Sequence, residues 1–276
     1  MSRLPIVFFG HGSPMVALEK SAVTRTWNQI AEGIGKPRAI LCISAHWQTR
    51  GTAVTAMAQP RTIHDFGAFP QALFDVQYPA PGDPELATRV RELLSPMPVS
   101  MDANWGLDHG TWSVLVHAYP EADVPVIQLG MDLGKSAAEH WLVGRMLRPL
   151  RDEGVLIMGT GNIVHNLPAM DWANPAADPY PWAEQFNSTM CKAIASDDPQ
   201  TVIDYEALGD AARLSVPSSD HFLPLLYVLG APPRGRGGNL RTRFHPAQVA
   251  QHDERADRRR ISARTPFPSQ QEFRWH

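Results

Sequence analysis

The stretch Ala39-Ile40-Leu41-Cys42-Ile43-Ser44-Ala45-His46-Trp47 decides the fold. Its first five residues are apolar without alternation, and the run is short for a helix and ends in a polar break. A strand covered on both faces by helices reads this way. The same pattern recurs at residues 6–9, 124–129 and 155–158. Between these runs lie helix-like stretches at residues 84–94, 136–151 and 181–195, the second with Leu142, Met146, Leu147 and Leu150 at helical spacing. The alternation predicts an α/β fold: a single three-layer domain whose central, mainly buried sheet is flanked by helices. No internal repeat and no interior linker breaks the pattern.

Composition limits the partners. At 276 residues, with 43% hydrophobic and 19% charged residues, the chain can bury one substantial core. A formal net charge of −3 offers no broad basic surface, so neither nucleic acid nor an anionic membrane is an expected partner. No apolar run approaches the roughly 20 residues that span a bilayer. The N-terminal run from Leu4 has no basic leader and is cut short by Gly10-His11-Gly12, which argues against a signal peptide. Two cysteines, Cys42 and Cys191, support neither a disulfide framework nor a thiolate zinc site. A reducing cytoplasm and a small-molecule partner are the expectations.

Four of the eleven histidines stand where chemistry is expected. His11 follows the first apolar run, His46 the second, and His165 the run at 155–158, while His221 opens an apolar helix. Ligands of open α/β sheets collect outside the carboxyl ends of the strands, so three strand-end histidines converge on one crevice. A single histidine at such a place is more often a hydrogen-bonded structural residue, but three shift the balance towards a metal site. With no thiolate cluster, an imidazole or imidazole-plus-carboxylate set suits Fe(II) or Zn(II). Spacing alone leaves the metal open.

Six ordered motifs carry a resemblance. Gly10-His11-Gly12-Ser13-Pro14, Ser44-Ala45-His46-Trp47, Thr62-Ile63-His64-Asp65-Phe66, Leu107-Asp108-His109-Gly110-Thr111-Trp112, Gly161-Asn162-Ile163-Val164-His165-Asn166 and Asp220-His221-Phe222-Leu223-Pro224-Leu225-Leu226-Tyr227 occur in this sequence. In that order they resemble the LigB-like class III extradiol dioxygenases, in the DOPA 4,5-dioxygenase branch, over about residues 5 to 232. The resemblance implies a divalent metal held by His11, His46 and His221, with Fe(II) expected for activity and Zn(II) as another occupant. It implies that His165 is an acid/base beside the metal or, in zinc-loaded forms, a fourth ligand. It also implies ring opening of a substituted, DOPA-like catechol with O₂. Protocatechuate-type relatives use a glutamate where this sequence has His221, which makes iron less firmly specified than a two-histidine, one-carboxylate set would.

Lesser positions have two readings each. His109 reads as a substrate or oxygen contact, or as part of a helix-capping cluster with Asp108 or Thr111. His64 and Asp65 sit in a long loop, residues 61–84, and are expected to line or gate a substrate pocket unless they are solvated turn residues. Trp47, Phe66, Phe69, Tyr78 and Trp112 are candidate walls for a planar ring, against the commoner reading of core aromatics. Residues 1–232 form the expected catalytic domain. Residues 233–276 are an atypical Arg-rich, lysine-free tail that departs from the family's ending, through a reading-frame change or ordinary divergence. Two rival functions are a zinc-dependent hydrolase on the same site and a non-enzymatic relative that kept only the fold.

Overall fold

A computed structural model describes residues 3–174 and 177–231. The strands are β1 (Ile6–Gly10), β2 (Ala39–Ser44), β3 (Gln48–Thr49), β4 (Thr52–Thr55), β5 (Val99–Asp102), β6 (Val126–Asp132) and β7 (Val155–Gly161). The helices are α1 (Ala22–Ile34), α2 (Gln71–Phe74), α3 (Pro84–Leu93), α4 (His109–Ala118), α5 (Ala137–Leu147), α6 (Pro181–Ala195), α7 (Pro199–Ile203), α8 (Asp210–Ser215) and α9 (Leu223–Gly230). The strand order is β1-β7-β2-β6-β4-β5, with β3 added on β6. Pairing is parallel except between β4 and β6. The expected tail lies outside the described residues. Among the described residues no helix is long and apolar enough to cross a membrane.

Both faces of the sheet are covered, which is why its central strands show no polar alternation. Along β2, Ala39, Leu41 and Ile43 join one core with α3, α5, α6 and α9, whereas Ile40 and Cys42 join a second core with α1 and α4. Val155 and Ile157 of β7 face the first core, and Leu156 and Met158 the second. Burying one such aliphatic side chain is worth about 1.5–3 kcal/mol, so the central strands carry much of the stability. Ser136 and Glu139 start α5 with a reciprocal capping box. α5 and α9 approach at glycines: a Cβ on Gly144 would lie 2.0 Å from the Tyr227 carbonyl oxygen, and one on Gly230 2.1 Å from that of Trp141.

The register aligns the strand ends. Gly10 of β1 pairs with Gly161 of β7, and Ser44 of β2 with Thr160. The chains leaving β1, β2 and β7 therefore emerge side by side at one edge, where His11, His46 and His165 follow. The segment at 61–84 is a largely irregular loop that includes α2 and is pinned to the start of α4 by a bridge between Thr62 and Leu107.

Candidate metal centre and active site

Backbone hydrogen bonds fix where the histidines emerge. The His11 N–H donates to the Gly161 carbonyl at 3.1 Å, and Ala45, next to His46, donates to Thr160 at 3.0 Å. Asn162 donates to the His221 carbonyl at 2.8 Å, and His165 to Ser215 at 2.8 Å. Gly161 has to be glycine because a Cβ there would lie 2.2 Å from the His221 carbonyl oxygen. His221 lies two residues ahead of α9, so the turn, not the helix, presents its ring.

Five imidazoles converge. His11 Nε2 and His46 Nε2 face each other at 2.9 Å. The His221 ring centre is 5.3 Å from that of His11 and 5.0 Å from that of His46. His165 stacks on His221 at 3.5 Å with 9° between planes, and His109 lies 3.8 Å from His46, centre to centre. The ligating atoms of His11, His46 and His109 all lie within 4.8 Å of one another, as do those of His165, Asp220 and His221. The structure thus brings together every histidine expected at the centre, and His109 with them. By ring centres His109 is nearer to His46 than His221 is, at 3.8 against 5.0 Å, whereas His221 is nearer to His11, at 5.3 against 5.9 Å.

Burial and mutual proximity disfavour the charged form of three of these rings. Burial first, and then the neighbouring imidazoles, hold His11 and His46 well below the ordinary histidine value. Burial and the stacked His221 bring His165 down to about 4. Neutral imidazoles are the ligating form. Asp220 holds Nδ1 of His221 through a short hydrogen bond, leaving Nε2 as the free lone pair. This is the carboxylate–histidine pattern that orients metal-bound imidazoles.

The residues fit a divalent metal. The 2.9 Å separation of the two Nε2 atoms is what neighbouring ligands about 2.0–2.1 Å from a common ion show. Nδ1 of His11 is buried with no hydrogen-bond partner among the described residues, so only the other nitrogen, facing His46, is engaged. The donor set is nitrogen-rich and sulfur-free, suited to Fe(II) or Zn(II).

A buried carboxyl organises two of the arms. Asp108 caps α4 by accepting from the Thr111 N–H at 3.1 Å, and it accepts from Ser44 Oγ at 2.7 Å and Gln128 Nε2 at 2.7 Å. Ser44 Oγ in turn accepts the His46 N–H at 3.2 Å. Burial, then Asp65, pushes the Asp108 carboxyl up, against the pull of Gln128 and Ser44. Of the two readings of the His109 motif, the capping one is seen in Asp108, while His109 itself faces the cluster. Gly110 makes room, since a Cβ there would lie 2.5 Å from Ser44 Oγ and 2.8 Å from His46 Cδ2.

The loop residues take other places than a substrate pocket alone would give them. His64 is tied to the Val76 carbonyl at 3.0 Å and braces the loop. Asp65 accepts the His109 N–H at 2.9 Å and points its other oxygen at the His109 and His46 rings. Trp47 is buried and stacks on Trp105 at 5.8 Å. Tyr78 and Trp112 are core residues whose polar ends bond to the Tyr119 and Ile63 carbonyls. Phe66, half-buried, meets His109 edge-on at 5.5 Å and is the aromatic of that set beside the cluster. Asp220 and Gly110 stand inside quoted motifs, but only side-chain geometry gives them their roles.

A nitrogen-rich crevice at the carboxyl ends of parallel strands defines an α/β metalloenzyme. The chain belongs to the LigB family: that family's model, the catalytic LigB subunit of aromatic ring-opening dioxygenase, matches residues 6–250. It is thus a metal-dependent, ring-opening oxidoreductase that uses O₂ on a small aromatic substrate. It is similar to a 4,5-DOPA dioxygenase extradiol of Escherichia coli K12, 49% identical over 237 residues that cover 83% of this chain and 86% of that protein. The Beta vulgaris protein of the same name is 38% identical over 232 residues, 81% of this chain and 85% of its own. A crystal structure of an Escherichia coli K12 protein superposes with a TM-score of 0.70 at 44% identity, covering 83% of this chain and 89% of that one.

Proposed function

We propose that the chain is an extradiol dioxygenase acting on a substituted, DOPA-like catechol, with one divalent ion held by His11, His46 and His221 and with Fe(II) as the active metal. The observation that carries this reading is the convergence of His11, His46, His109, His165 and His221 in one cluster. Residues 1–232 contain all of it, and two free thiols, Cys42 and Cys191, suit a cytoplasmic setting. A bound dipositive ion favours catecholate over catechol and, as Fe(II), supplies the redox capacity that O₂ chemistry needs.

The chain's own residues do the rest. His221 is oriented by Asp220 and His46 by the Ser44–Asp108 pair, which presets the ligand directions before metal arrives. His165, stacked on His221 and neutral at pH 7, takes the proton of the second catechol hydroxyl and returns it to an oxygen atom that comes from O₂ as the ring opens, so no oxygen is lost. Phe66, beside His109, offers an edge for the substrate ring. Both atoms of O₂ enter the ring-opened product, so no external reductant is required.

The grouping of the His109 nitrogen with those of His11 and His46 within 4.8 Å supports a second ligand assignment, with His109 in place of His221. Metal stoichiometry of His109→Ala and His221→Ala separates the two: on the main reading only the second loses the ion. The function is tested by anaerobic Fe(II) loading, a catechol panel and then O₂. A yellow semialdehyde with matching O₂ uptake is expected. Inert catechols together with ester hydrolysis by the zinc-loaded protein would overturn the reading in favour of a hydrolase.

A further inference from the structure

Asp65 was expected to line or gate a pocket, yet its carboxylate is spent inside the protein. Oδ1 accepts the backbone N–H of His109 at 2.9 Å, and Oδ2 stands 2.9 Å from Nδ1 of the same residue and 3.8 Å from Nδ1 of His46. The Nδ1 contact is bent away from the ring's N–H direction and makes no straight hydrogen bond, and this buried nitrogen has no other partner among the described residues. Asp65 is therefore the acceptor positioned for a proton on Nδ1. His109 is the first residue of α4, 7% exposed, edge-on to His11 at 5.9 Å and wedged against Phe66 at 5.5 Å.

We propose that Asp65 is the positioning residue of His109: it holds the proton on Nδ1, so that Nε2 is left as a bare acceptor for the substrate. This rests on the reading above in which His109 contacts substrate and is not a metal ligand. The physical reason is the inventory of donors. A neutral imidazole has one N–H and one lone pair, and whichever nitrogen faces a carboxylate carries the hydrogen. Two oxygens on one residue, one gripping the backbone and one facing the ring, fix both the place and the tautomer.

Asp65→Asn separates the two tasks. Its single carbonyl oxygen is retained by the His109 backbone N–H, which turns the amide NH₂ to Nδ1 and demands that Nδ1 be the acceptor. The tautomer is then reversed with little change in shape. The experiment labels histidine with ¹⁵N in metal-free and Zn(II)-loaded protein, assigns His109 by its absence in His109→Ala, and reads which nitrogen is protonated. Wild type should show Nδ1–H and Asp65→Asn should show Nε2–H. With Fe(II), Asp65→Asn should keep full metal stoichiometry and KM while kcat falls at least ~10²-fold, the low end of what a positioned proton-transfer group contributes. Asp65→Glu should recover part of the loss. An Nε2–H tautomer in wild type, an unchanged tautomer in Asp65→Asn, or loss of metal with the amide would each overturn the proposal. Metal loss in His109→Ala would instead overturn the ligand assignment on which it rests.

Discussion

Replacing Gly110 by Ala sets two effects of opposite sign against each other. Gly110 is the second residue of α4, and alanine there gains up to about 1 kcal/mol of helix propensity over glycine. The added Cβ, however, would stand 2.5 Å from Ser44 Oγ, 2.8 Å from His46 Cδ2 and 3.3 Å from His11 Cε1. Ser44 cannot yield freely, because its Oγ is bound to Asp108 and receives the His46 N–H. The His46 ring must give way. Overpacking of this kind costs about 1–3 kcal/mol, so the balance is a net loss of about 1–2 kcal/mol. For a chain of this size that lowers Tm by about 2–8 °C. The functional loss should be larger than the stability loss, since a displacement of about 1 Å at a reacting centre can cost 10²-fold in rate. The assay pairs thermal unfolding of the metal-free protein with Fe(II) stoichiometry and O₂ uptake on a catechol. A Gly110→Ala protein that binds metal and turns over like wild type would refute the claim that this glycine reserves space for the ligand cluster.

His165→Ala should retain most Fe(II) yet lose at least ~10²-fold in turnover; full turnover would remove its acid/base role, and loss of metal along with turnover would make it a ligand first. Acid should destabilise the fold through His140, which is buried against Tyr227 Oη at 2.7 Å and held down to about 4 by burial and Lys135. The unfolded chain takes up that proton below about pH 6.5 whereas the fold resists it, so stability present above pH 6.5 drains away as pH falls towards 4, by about 2 kcal/mol at pH 5. Urea unfolding of metal-free His140→Gln at pH 7.5 and 5 should show a shallower loss than wild type, and an equal loss would exclude this histidine as the cause.

The sequence read well where one residue's neighbours in the chain are also its environment. Strands β2 and β7 are buried on both faces, so their apolar runs survive as uninterrupted strings, with β1 partly buried and β6 broken only by Gln128, and the expected helices at 84–94 and 181–195 match α3 and α6 within a residue. α1 went unread because its buried face is only Thr24, Trp27 and Ala31, one of them polar and one small, and β4 and β5, four residues each, are too short to display a period. The histidines were legible because strand ends bring ligands together by topology, and the motifs marked those ends. What no local string contained is the partner of each ring. Asp220 adjoins His221 in sequence, but Asp65 reaches His109 across 44 positions and Asp108 reaches Ser44 across 64. Those long-range contacts decide tautomer and direction. A set of imidazoles becomes a specific site when its rings are held in place, and the fold supplies that hold through carboxylates, Asp220 from the next position and Asp65 and Asp108 from a distance.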